Sequence, residues 1–128
     1  MRLLLDRHIF LALIEKQTGR FPQGIQQRLT DATNTLYLSI ASLWEIAIKW
    51  RLGKLQITPD LDALPGLING MGIELVPINE QHVLIAIDPE PDTRDPFDRL
   101  LLAQCRIEGL RLVTIDRALT GHPLAVRA

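Results

Sequence analysis

Residues 94–116, "RDPFDRLLLAQCRIEGLRLVTID", hold a helix, its stop and the strand it feeds. Asp95 has the side chain of an N-cap, which accepts a hydrogen bond from an unpaired amide of the first turn. Pro96 then falls at the first helical position, where its missing N–H costs nothing. Leu100, Leu101, Ala103, Gln104 and Ile107 continue as a largely buried helix, and Gly109 supplies the stop. "LRLVTID" (110–116) is a compact apolar run that ends in an acid. Asp98, three residues beyond the cap, lies at the positive end of the helix dipole. A helix start accounts for Asp95. Asp98 has a further role only if the fold brings other groups to the same tip.

The same unit recurs outward from this stretch. "RLLLD" (2–6) is a second apolar run ending in an acid, and "HIFLALIEK" (8–16) follows with helical spacing. "FPQGIQQRLTDA" (21–32) reads as a helix, "LYLSI" (36–40) as a strand, and "ASLWEIAIKWRLGK" (41–54) as the strongest helix, stopped at Gly53. "DLDALPGLINGM" (60–71) is a short helix whose shape Pro65 leaves open. "IELVPI" (73–78) is a strand, "NEQHVLIAI" (79–87) opens as a helix capped by Asn79, and "PLAVRA" (123–128) supplies a short final strand. Strands that are apolar throughout and separated by helices predict a parallel sheet covered on both faces. The expected architecture is α/β, with about five strands in one domain spanning 1–128.

Bulk properties narrow the function. An apolar content of 47% with charges of both signs suits a globular chain. The lone Cys105 makes no intramolecular disulfide, which points to a reducing, cytoplasmic home. Asp6, Arg7 and His8 break the N-terminal apolar run, so no signal peptide is expected there, and no segment reaches membrane-span length. A formal net charge of −1 excludes a protein that grips nucleic acid chiefly through a large basic surface. Any nucleic-acid contact is therefore local, bridged by metal, or made by an oligomer.

In open α/β sheets the working site lies beyond the carboxyl ends of the strands. Asp6 and Asp116 end strands there, Asp98 begins the helix that feeds the last long strand, and Glu45 lies in the first turn or so of the helix after "LYLSI". Taken singly, each has a structural explanation as a cap, a dipole partner or a solvated residue. Together they are a charge problem, since two carboxylates 5 Å apart repel by about 3 kcal/mol at an effective dielectric near 20. Such a cluster raises some pKa values or takes up a cation. Carboxylate-only sites suit Mg²⁺ or Mn²⁺, and the chemistry they serve is phosphodiester hydrolysis. Arg7, Lys49, Arg94 and Arg99 are candidates for gripping the phosphates of such a substrate.

"LLLD", "LSIASLWEIAIKWRLGKL", "RDPFDRLLLAQ" and "EGLRLVTID", in this order, resemble the PIN-domain family, most nearly the VapC-type toxins of toxin–antitoxin pairs. The resemblance implies helices sandwiching a short parallel sheet, and a metal-dependent endoribonuclease. It places Asp6, Glu45, Asp98 and Asp116 at the acidic metal-site positions. It gives Thr114 the role of supporting the first acid, and Asp95 that of a cap or outer support. It also implies a homodimer, a VapB-like antitoxin, and a transfer or ribosomal RNA target. Trp44, Trp50 and Leu52 suit either such a partner surface or the core.

Arg7 departs from the small hydroxyl residue usual after the first aspartate. Its guanidinium either points into solvent, the arrangement expected here, or leans over the carboxylates and competes with metal. A lone His8 at a helix start is read as structural, with His82 and His122 at no ligand spacing from it. Two other classes compete. A degraded site that only binds RNA or a partner would have no reason to take up Mn²⁺. A phosphoryl-aspartate receiver or phosphatase would need a paired acid or a second aspartate near Asp6, where this chain has Arg7 and His8.

Overall fold

The computed structural model describes residues 1–127. Four strands, β1 (Arg2–Leu5), β2 (Thr35–Ser39), β3 (Glu74–Val76) and β4 (Arg111–Val113), form one parallel sheet in the order β3-β2-β1-β4. The helices are α1 (Arg7–Ile14), α2 (Gln23–Thr30), α3 (Ile40–Arg51), α4 (Leu64–Gly70), α5 (Glu80–Leu84), α6 (Pro96–Glu108) and α7 (Arg117–Thr120).

The run of leucines in β1 explains the layering. Successive side chains of a strand point to opposite faces. Leu3 and Leu5 accordingly join one core with Ile9, Phe10, Ile25, Leu38 and Ile46. Leu4 joins the other, with Leu101, Leu102, Cys105, Leu112 and Leu119. All three leucines are fully buried. An unbroken apolar strand is what a sheet covered on both sides requires, and the α/β sandwich follows from it.

The fifth strand is a correction. Within "PLAVRA" only Ala125 bridges to Leu112, through Leu112 N to Leu124 O and Val126 N to Leu112 O, each at 2.8 Å. Pro123 offers no amide to a ladder, and the Ala125 amide turns back to His122 O. The last residue of that run lies outside the described residues. Pro65 has a comparable effect. It sits in the first turn of α4, so the stretch from Leu61 becomes a 3₁₀ turn followed by a short α-helix.

The connections place a crevice. From β1 the chain winds one way through β2 to β3, then returns to put β4 on the other side of β1. The switch point, where a crevice opens at the carboxyl ends of the strands, therefore lies between β1 and β4. Leu5 is in register with Val113, and the Asp6 amide donates to Val113 O at 3.1 Å. Asp6 and Thr114 therefore leave the sheet side by side.

Candidate functional site

Asp6 is the N-cap of α1 and is buried, its Oδ1 accepting from the Ile9 amide at 3.0 Å. Its Oδ2 accepts a short hydrogen bond from the hydroxyl of Thr114, which in turn accepts from the Asp116 amide at 3.0 Å. Asp116 caps α7 through the Ala118 amide at 2.9 Å. One threonine thus ties the acid after β1 to the acid after β4. Burial pushes the Asp6 carboxyl above the usual range, against the hydrogen bonds from Thr114 and Ile9 that pull it down.

A second device of the same design stands at the start of α6. Thr93 Oγ1 donates to Asp98 Oδ2 at 2.8 Å and accepts from the Asp95 amide at 3.1 Å. Asp95 caps α6 through the Phe97 amide at 2.8 Å, and Gly109 closes it at φ 69°. Thr93 is absent from the residues expected from sequence. Its signal was the repeated T-x-D, "TRD" at 93–95 and "TID" at 114–116.

The two devices face each other. Burial first, and then the negative charges of Asp95, Asp116 and Glu45, raise the Asp98 carboxyl to about 6 despite the Thr93 hydrogen bond. Glu45 sits in the second turn of α3, slightly deeper than expected, and it is only partly exposed.

Arg7 corrects an expectation. Its Nε lies 3.5 Å from Glu45 Oε1, so the guanidinium leans over the acids instead of pointing into solvent. It follows Asp6 at the first position of α1, which faces the crevice, and the Glu45 charge draws it in. Lys49, one turn beyond Glu45 on α3, approaches Glu45 Oε2 at 3.6 Å. Arg94 is exposed between Thr93 and Asp95. Arg99 is turned away, paired with Glu90 beside a groove that His82, Ile85 and Leu100 help to line.

The histidines have structural partners. His82 Nδ1 accepts from the Asn79 amide in a capping box. His122 bridges Pro89 O and the Leu124 amide, and exposed His8 touches Arg7. Burial pushes the Cys105 thiol up to about 12, which leaves it no nucleophilic role.

Among the described residues, no three His, Cys, Asp or Glu side chains stand close enough to hold a metal ion as they lie. Glu45 is turned toward two cations, and both Asp6 oxygens are engaged by hydrogen bonds. The donor chemistry still fits a hard cation, because carboxylates are hard oxygen donors and the charges of Asp95, Asp116 and Glu45 add to burial in raising Asp98.

A family model described as the PIN domain matches residues 3–121, nearly the whole chain. The chain belongs to the PIN domain family. PIN domains are typically nucleases, commonly bind nucleic acid and generally use divalent metal ions, which gives this chain a coarse assignment as a nuclease-type hydrolase. No curated protein matches it. Among the described residues of this PIN domain, no helix is long and apolar enough to cross a membrane.

Proposed function

We propose that this PIN domain is a metal-dependent endoribonuclease, the toxin of a VapBC-like pair, acting as one unit over residues 1–128. The observation that carries the proposal is the placement of Asp6 and Asp116 on one threonine, Thr114, at the carboxyl edge of the sheet, with Asp98 held by Thr93 near enough to feel the charges of Asp116 and Glu45. Asp6, Glu45, Asp98 and Asp116 would hold Mg²⁺ or Mn²⁺. The ion would supply a water of lowered pKa and neutralise charge on the phosphoryl group.

The chain's own residues do the rest. Thr114 fixes Asp6 against Asp116, and Thr93 fixes Asp98 against the start of α6. Asp98 is ionised above a pH of about 6 and then presents its charge to the site. Arg7, Lys49 and Arg94 meet the RNA phosphates, whereas Arg99 is held apart by Glu90. Attack by water needs no 2′-hydroxyl and leaves a 5′-phosphate and a 3′-hydroxyl. A homodimer, a VapB-like antitoxin, a cytoplasmic setting and a transfer or ribosomal RNA target complete the proposal, supported by the sequence motifs.

The Arg7–Glu45 pair favours a second reading, a catalytically weak module that binds RNA or a partner. Calorimetric titration with Mn²⁺ separates the two. The nuclease takes up the ion in a manner lost on Asp98→Asn, while a pure binding module shows no such uptake.

A further inference from the structure

Helices α3 and α6 pack against each other, and their facing surfaces carry two consecutive cross-helix relationships. One is acidic, with Glu45 on α3 and Asp98 in the first turn of α6. The other, one residue earlier on each helix, is aromatic. The rings of Trp44 and Phe97 lie 5.6 Å apart between centroids at 72°, edge to face. That contact holds the indole in one pose. Trp44 nevertheless remains 58% exposed. A large rigid ring is thus fixed at the rim of the carboxylate site and left open to a ligand, and core packing does not account for it.

The surroundings indicate what covers it. Carboxylates lie to one side, and the cations Arg7 and Lys49 lie on the same flank of α3 through their contacts to Glu45. A nucleotide carries its π-face within one sugar of its phosphate. The order of aromatic rung, acidic rung and basic groups matches base, phosphate and flanking phosphate. Stacking on an indole needs no hydrogen-bond code, and the pair of rings offers a single donor, the indole N–H.

We propose that Trp44, braced by Phe97, is a stacking platform for a base of single-stranded RNA whose phosphate lies at the Glu45–Asp98 rung. The phosphate half rests on the nuclease proposal; the stacking half does not. A base inside a duplex has no free face, so paired RNA is a poor ligand for this rim.

The test measures binding of fluorescently labelled oligomers by anisotropy, with EDTA present so that none is hydrolysed. The probes are octauridylate, octaadenylate and an abasic oligomer of equal length and charge. Wild type binds the base-bearing oligomers on the order of tenfold more tightly than the abasic one. Trp44→Leu loses that preference, and Trp44→Phe keeps most of it. In Trp50→Phe, where Trp44 is the remaining indole of two, octauridylate quenches the fluorescence. Equal affinity of wild type for base-bearing and abasic oligomers overturns the proposal, as does a Trp44→Leu variant that keeps the preference. Trp44→Leu that changes the sedimentation coefficient with RNA affinity intact also overturns it, and makes the rim a protein interface. Stacking without hydrolysis in Mn²⁺ upholds the platform and removes the nuclease proposal.

Discussion

Thr93 donates a hydrogen bond from its hydroxyl to Asp98 at 2.8 Å, and the Thr114 hydroxyl likewise donates one to Asp6 across the crevice. Each threonine also accepts the amide of the aspartate two residues on, and that aspartate caps the next helix. Two acids from distant parts of the chain are therefore oriented by the same local turn. An ionised carboxylate held by a hydroxyl keeps its oxygens where the backbone puts them, which is what a site of converging charges requires.

Thr93→Val removes a hydrogen bond that favours the ionised form of Asp98. The Asp98 carboxyl then rises above its present value of about 6. Under the proposed mechanism cleavage needs the ionised carboxylate, so at subsaturating Mn²⁺, where the metal-free carboxyl titrates, wild-type activity climbs as pH rises through about 6, and the variant climbs at higher pH. The pH–rate profiles of the two proteins check this. Coincident acid limbs would show that Asp98 does not set them.

Asp98 should also work against stability. Its carboxyl is raised in the folded state from 3.8 to about 6, so the fold favours the protonated form. Between those two values the unfolded chain loses its proton first, and stability falls as pH rises through that window. The cost then stays constant toward neutrality. Because the group is partly exposed, the full shift is discounted for solvent screening to about 1 kcal/mol. Asp98→Asn, measured by thermal unfolding at pH 7, accordingly gains about 3–5 °C. At pH 3.5 the gain disappears. A variant equally or less stable at pH 7 contradicts the proposed cost of burying this carboxyl beside other negative charges.

Arg7→Thr frees one oxygen of Glu45 from a cation 3.5 Å away. Charges at that separation interact strongly even at an effective dielectric near 20. Mn²⁺ affinity, read by calorimetry, is expected to rise on the order of tenfold, with Lys49 still beside Glu45. Unchanged affinity would mean that the guanidinium does not compete with the ion.

The sheet was legible because its strands are apolar throughout, and the carboxylate edge followed from where those strands end. Leu3, Leu4 and Leu5 leave no polar face for water, so only a covered parallel sheet suits them. The caps at Asp95 and Asn79 and the stop at Gly109 were legible from local chemistry. Other features depend on contacts that sequence does not order. Thr93 lies in the aperiodic, Pro-containing stretch before α6, and its partner is fixed by how that stretch folds back. Arg7 has no local reason to choose the crevice over solvent; Glu45, thirty-eight positions on, decides it. Arg99 belongs by sequence to the tip of α6, yet Glu90 draws it to the other flank. The single bridge at Ala125 reflects Pro123 and a turn, neither of which apolar content reveals.

We propose that these acids hydrolyse RNA with a bound divalent ion. The most direct test incubates the protein with end-labelled total bacterial RNA in Mg²⁺ or Mn²⁺, in EDTA, and as Asp98→Asn. Discrete products with 5′-phosphate and 3′-hydroxyl ends are expected, and they disappear with EDTA and with the variant. Intact RNA from wild type and from Arg7→Thr alike, or cleavage that survives EDTA and Asp98→Asn, would contradict it.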